Sequence, residues 1–140
     1  MEFTLEILDT AGQDDYQTML DSWIGFADGF ILVYAIDDPQ SFEVIKSKYE
    51  RILKNKPGEK PPILIVGNKC DLVDKRKVDS FEAEALAKSL NINFLEVSAQ
   101  EKINVKETFL MVAKQLLVKK ARIENFEKDE KNIKKRCYCF

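Results

Sequence analysis

Histidine is absent from all 140 residues. That excludes Ser-His-Asp and Cys-His nucleophilic catalysis, and with them any histidine-bearing zinc site. Cysteine is scarce: Cys70, Cys137 and Cys139 are the only three. An odd count with two at the extreme end argues against a disulfide framework and fits a reducing, cytosolic compartment. Glycine and proline number only five and four, too few for a collagen-like or low-complexity chain. No apolar run approaches the roughly 20 residues of a membrane span. Glu2 and Glu6 interrupt any signal-peptide core. No internal repeat is visible.

What remains has the balance of an ordinary α/β domain, 45% hydrophobic and 33% charged, long enough for one buried core. The charge is unevenly placed. From Val118 onward there are eight Lys/Arg and four Asp/Glu, a net +4 on a body of −6. An acidic body argues against a nucleic-acid face, so no nucleic-acid partner is expected. A basic tail on such a body points to an anionic surface.

Three apolar runs are continuous rather than alternating: Phe30–Ile36, Ile63–Val66 and Phe94–Val97. They are β-branched or aromatic and bounded by turn residues, as strands buried on both faces of a parallel sheet are. A weaker strand, Phe3–Leu8, opens the chain. Between the strands lie helical patterns. Ser41 is expected to cap a helix with Phe42, Ile45, Tyr49 and Ile52/Leu53 inward. Pro57, Gly58, Pro61 and Pro62 separate it from the next strand. Ser80 is expected to cap a second, with Phe81, Ala85, Leu86 and Leu90 inward. A third starts near Val105, turns Phe109, Val112, Ala113, Leu116 and Leu117 inward, and loses its stripe at Lys119-Lys120. Asp14–Phe26 reads as a short mobile helix. Alternating β and α elements predict a doubly wound parallel sheet.

Ligands of such sheets sit at the C-terminal ends of the strands, and three polar strings follow predicted strands there. Asp9-Thr10-Ala11-Gly12-Gln13 offers a carboxylate suited to Mg²⁺, a glycine amide for a terminal phosphate, and a glutamine able to orient a water. An ordinary strand-to-helix turn explains the same string less well. Asn68-Lys69-Cys70-Asp71 offers a carboxylate that accepts from the adjacent N1–H and amine of guanine, a donor pair adenine lacks. A site built on such a partner rejects the wrong base by roughly 10⁴ or more. Asn68 can tie the loop to its neighbours, and the Lys69 stem can cover the ring. Ser98-Ala99-Gln100 is weak alone; its Ala99 amide could reach guanine O6.

In order and spacing, these strings resemble a Ras-type small GTPase of the Ras, Rap and Rheb branch. The matching strings are Leu8–Tyr16, Ser41-Phe42-Glu43, Val66–Leu72 and Glu96-Val97-Ser98-Ala99. The resemblance covers residues 1 to about 118, a partial Ras-like domain, with 119–140 as a basic hypervariable tail. It implies a P-loop NTPase fold with helices on both faces of the sheet, a GTP/GDP ligand with Mg²⁺, and GTP hydrolysis as the family activity. It gives Asp9 to the metal, Gly12 to the γ-phosphate and Gln13 to the attacking water. Asn68, Lys69, Asp71, Ser98 and Ala99 form the base pocket. Asp14–Asp21 corresponds to switch II, which meets activating proteins, exchange factors and effectors. Gln100 departs from the lysine usual there.

No Gly-x-x-x-x-Gly-Lys-Ser/Thr occurs in the sequence, so the phosphate cradle and the switch I threonine are lacking. Relative to the family, the first strand, first helix and second strand are missing. Weak nucleotide binding by this chain is therefore expected. In the family the P-loop strand lies between the strand ending at Leu8 and that around Phe30–Ile36. Without it, both strands need new pairing or water, because a buried orphan costs about 1–3 kcal/mol. Two accounts compete: an incomplete form of an ordinary membrane-anchored GTPase, or a non-hydrolysing, membrane-tethered interaction module.

Cys137 stands four from the end, as a C-a-a-X prenylation site requires, and a terminal Phe leans towards geranylgeranyl. Cys137-Tyr138-Cys139 also resembles a C-x-C end displaced by one residue. One prenyl chain anchors marginally. Lys131, Lys134, Lys135 and Arg136 would add about 1 kcal/mol each near an anionic leaflet. The expected location is thus the cytoplasmic face of a membrane, the plasma membrane by preference, with a lipid anchor.

Overall fold

The structure is a computed structural model that describes residues 3–10, 17–124 and 133–140. The elements run β1 (Phe3–Asp9), α1 (Gln17–Phe26), β2 (Gly29–Ala35), α2 (Pro39–Glu43), α3 (Ile45–Asn55), β3 (Ile63–Asn68), α4 (Ser80–Leu90), β4 (Asn93–Glu96), α5 (Val105–Glu124) and β5 (Ile133–Cys139). Five strands form one sheet in the order β1-β5-β2-β3-β4, and every pair is parallel.

Helices cover both faces. Residues from α1, α3 and α4 pack with Phe30, Leu32, Ile63 and Ile65 on one face. Val112 and Leu116 of α5 pack with Ile31, Leu64 and Val66 on the other. The continuous apolar runs follow from this: β2 and β3 bury both sets of alternating side chains.

Helix starts differ from expectation by chemistry. Asp38, not Ser41, caps α2, accepting from the Gln40 amide. Ser41 instead takes the Ala35 amide at 2.9 Å. Asp79, not Ser80, caps α4 by accepting from the Phe81 amide at 2.8 Å. Ala83 and Ala87 are the buried residues of α4, and Leu86 and Leu90 pack beside them as expected, while Ala85 is exposed and Phe81 is 78% exposed. A carboxylate one residue upstream competes well with a serine hydroxyl for a cap. α5 continues past the expected domain edge at residue 118 and through Lys119-Lys120 to Glu124.

The largest difference is β5. The tail, expected outside the domain, supplies a strand between β1 and β2. It is paired along seven residues with β1, from Phe3↔Ile133 to Asp9↔Cys139, and along three with β2, Gly29↔Cys137 to Ile31↔Cys139. This is the slot assigned above to the P-loop strand. The reason is the orphaned backbone: two strands facing an empty position bond a third wherever the chain provides one.

Candidate functional site

All strands being parallel, their C-terminal ends share one rim. Asp9 ends β1, Asn68 ends β3, and Ser98 follows β4. From β1 to β3 is three strand spacings, about 14 Å, the scale of an extended nucleotide. Asp9 and the Asn68–Asp71 loop therefore share a rim. Gly12 and Gln13, with Asp14 to Tyr16 of the expected switch segment, lie outside the described residues.

The β3 and β4 loops interlock. Asn68 Oδ1 accepts from the Lys69 amide at 2.8 Å and from the Ala99 amide at 3.1 Å. The Cys70 amide donates to Val97 O at 3.0 Å. Ser98 is fully buried. Its hydroxyl donates to Asp71 Oδ1 at 2.6 Å and accepts from the Glu101 amide at 3.0 Å. A carboxylate has about four lone-pair sites, so Asp71 keeps Oδ2 and spare capacity on Oδ1 for a ligand with two adjacent donors. These bonds tie the β3 loop to the β4 loop.

Two of the expected base-pocket groups already have protein partners. The Ala99 amide, expected to donate to guanine O6, donates to Asn68 Oδ1. The Lys69 stem, expected over the base ring, carries an ammonium 3.1 Å from Asp37 Oδ2. That hydrogen bond holds the Asp37 carboxyl below its ordinary range. Lys69 also takes a left-handed backbone, φ 65°, which turns the chain sharply after β3.

Sequence reasoning missed Asp37, which precedes α2 without any motif. It also missed the support beneath the rim. Arg76 grips Glu96 bidentately at 2.6 and 2.8 Å, and this pairing raises the arginine's pKa. The Asn104 amide side chain donates to Glu96 O at 3.0 Å. These partners are 20 and 8 residues apart and carry no local signature.

Near β1 the rim differs in kind. The Thr10 hydroxyl donates to Cys139 O at 3.0 Å, and the Val33 amide donates to Phe140 O at 3.0 Å. The end of β5 thus occupies the middle of the rim. No cluster of three or more acidic, cysteine or histidine donors exists among the described residues; Asp9 lies at the end of β1 on this part of the rim. Cys137 is 1% exposed; burial pushes its thiol up to about 12 and that of Cys139 to about 11.

A parallel sheet covered by helices on both faces, with interlocked polar loops at its C-terminal rim, defines an α/β protein of the doubly wound class. The chain belongs to the Ras family, whose description matches residues 1–118. It is 45% identical over 124 residues to the Ras-like protein rasS of Dictyostelium discoideum, covering 89% of this chain and 63% of the relative. It is 46% identical over 112 residues to rasB of the same organism, 80% and 57% of the two chains. With rasZ the identity is 38% over 136 residues, 96% and 64%. The chain thus spans about three-fifths of the length of these curated relatives.

Proposed function

We propose that this chain carries the guanine-reading half of a GTP-binding signalling switch of the Ras family. The supporting observation is the prearranged Asn68–Asp71–Ser98–Ala99 rim. Asp71 would accept the N1–H and amine of guanine, with Asn68 and Ser98 holding its loop in register. The donor set fits a base edge. GTP or GDP would lie across the rim towards Asp9, which would hold Mg²⁺ directly or through water; bound Mg²⁺ supplies charge neutralisation to phosphates. The phosphate end does not fit equally. The sequence has no Gly-rich Lys-Ser/Thr cradle, and β5 fills the sheet position that would lead into one. No hydrolytic step follows from these residues. GTP hydrolysis with Gln13 placing the water, and regulator and effector contacts through Asp14–Asp21, are proposed for the protein when a phosphate cradle is supplied.

Occupation of that slot favours a second reading for the 140-residue chain itself: an interaction module that does not hydrolyse GTP. Membrane attachment through a prenyl thioether on Cys137 and the basic tail is proposed for either. Among the described residues, no helix is long and apolar enough to cross a membrane.

Titration with GDP and with ADP in Mg²⁺ tests the base pocket. Guanine preference with an affinity weaker than about micromolar is expected, the phosphate contacts being absent. Asp71→Asn should erase the preference, by about a hundredfold or to the detection limit. An unaltered preference would refute the pocket.

A further inference from the structure

The residues assigned to membrane attachment are the same residues that complete the sheet. Cys137 lies between Ile7 and Gly29, its thiol against the α5 face. Tyr138 packs the other face, with Phe30 at 6.1 Å and Trp23 at 6.3 Å between ring centroids. Phe140 stacks edge-on to Tyr138 at 5.7 Å and lies under the Lys48 ammonium at 5.3 Å. Two residues of the basic run are paired within the fold: Lys135 with Asp28 at 3.4 Å, and Arg136 with Glu6 at 3.3 Å. Asp28 also grips the strand's backbone: its carboxylate accepts from the Arg136 amide at 2.9 Å, and its own amide donates to Arg136 O at 2.8 Å.

The seam that holds this strand is uneven. Seven residue pairs join β5 to β1, but only three join it to β2. β1 is an edge strand whose residues Thr4 and Glu6 to Asp9 are exposed. The β2–β3 and β3–β4 pairings do not use β5, which contributes Tyr138 to one side of the core and Cys137 to the other.

We propose that β5 is a latch with two exclusive positions: docked in the slot between β1 and β2, or released with Cys137 and its basic run delivered to an anionic membrane surface. The membrane half of this rests on the tail reading above; the docked half does not. While docked, Cys137 is walled in by backbone on two sides, and Lys135 and Arg136 are spent on Asp28 and Glu6. A prenyl group cannot join Sγ there. Forming the S–C bond, with loss of the thiol proton and departure of diphosphate from a prenyl diphosphate, requires the strand out. Anionic lipid competes with Asp28 and Glu6 for the same cations, so it should draw the equilibrium towards release.

Per-cysteine maleimide labelling of the full 140-residue chain, read by mass spectrometry, tests the latch, with Cys70 as internal reference. Cys137 should label far more slowly than in the urea-unfolded chain. Asp28→Ala should speed Cys137 about tenfold, as expected for losing a charged hydrogen-bond partner, and leave Cys70 unchanged. Equal acceleration of both cysteines would mean the strand leaves only by global unfolding and would overturn the latch. So would fast labelling of Cys137 in the unmodified protein. Should Asp28→Ala not fold, hydrogen exchange of the unmodified chain decides. Amides of residues 137–140 should open more easily than those of β3, and equal protection refutes the proposal. Phosphatidylserine vesicles should accelerate Cys137 labelling where phosphatidylcholine vesicles do not. No difference between them would overturn the membrane half while leaving docking to the labelling result.

Discussion

Ser98 shows how much a single hydroxyl can organise. Buried completely, it donates to Asp71 and accepts from the Glu101 amide. Ser98→Ala removes both bonds and leaves an amide short of a partner. A loss of about 1–3 kcal/mol is expected, measured as a lower urea midpoint, together with weakened guanine preference because Asp71 loses its restraint. Gly67 is a residue fixed by space. A Cβ built there meets the Tyr34 hydroxyl oxygen at 2.6 Å and Cζ at 2.8 Å. Tyr34 is itself buried and packed edge-on against Phe42 at 5.0 Å. Gly67→Ala should therefore destabilise by about 1–3 kcal/mol through overpacking, visible in the same denaturation curve. A result within 0.5 kcal/mol, the usual range for surface sites, would mean the ring moves aside freely.

Among the elements, α1 is tied to α3 by chemistry that responds to acid. Asp21 accepts from Arg51 at 2.7 Å and from the Asn55 side chain at 3.0 Å. The Arg51 hydrogen bond holds the Asp21 carboxyl below its ordinary value. A depressed folded pKa stabilises the fold above the unfolded carboxylate value. That contribution is lost as pH falls through the folded one. Stability should thus decline more steeply below about pH 4 in the parent than in Asp21→Asn, and added salt should shrink the difference, the pair being partly exposed. Identical pH profiles would remove this ion pair from the stability of α1. The helix caps carry a further lesson at this scale. Asp38 and Asp79 stood one to three residues ahead of the serines chosen from pattern, and their carboxylates took the free amides.

At the scale of the whole molecule, the sheet is completed by its last strand. Removing residues 133–140 strips β1 of its sole strand neighbour among the described residues and uncovers three residues of β2. Amides of β1 should then lose protection from hydrogen exchange, while β3, flanked by β2 and β4, keeps most of its own. Loss of protection throughout would show that β5 holds the entire core. The acidic body and basic tail, separate in the sequence, are joined in space by the Asp28–Lys135 and Glu6–Arg136 pairs. The charge asymmetry is in part internal neutralisation.

Local order was written in the sequence. Continuous β-branched runs gave β2, β3 and β4, apolar spacing gave the helices, and polar strings after strands gave the rim. Each is set by neighbours within a few residues, through periodicity, turn chemistry and caps. The same reading marked an unfilled place between β1 and β2, but not its occupant. The alternation Cys137, Tyr138, Cys139, Phe140 was a strand signal, hidden by its resemblance to a modification site. Tertiary structure alone chose β5 for that place, paired Lys69 with Asp37, and set Arg76 against Glu96. Those outcomes depend on backbone groups and charges that lie far apart along the chain and meet only when the sheet has formed.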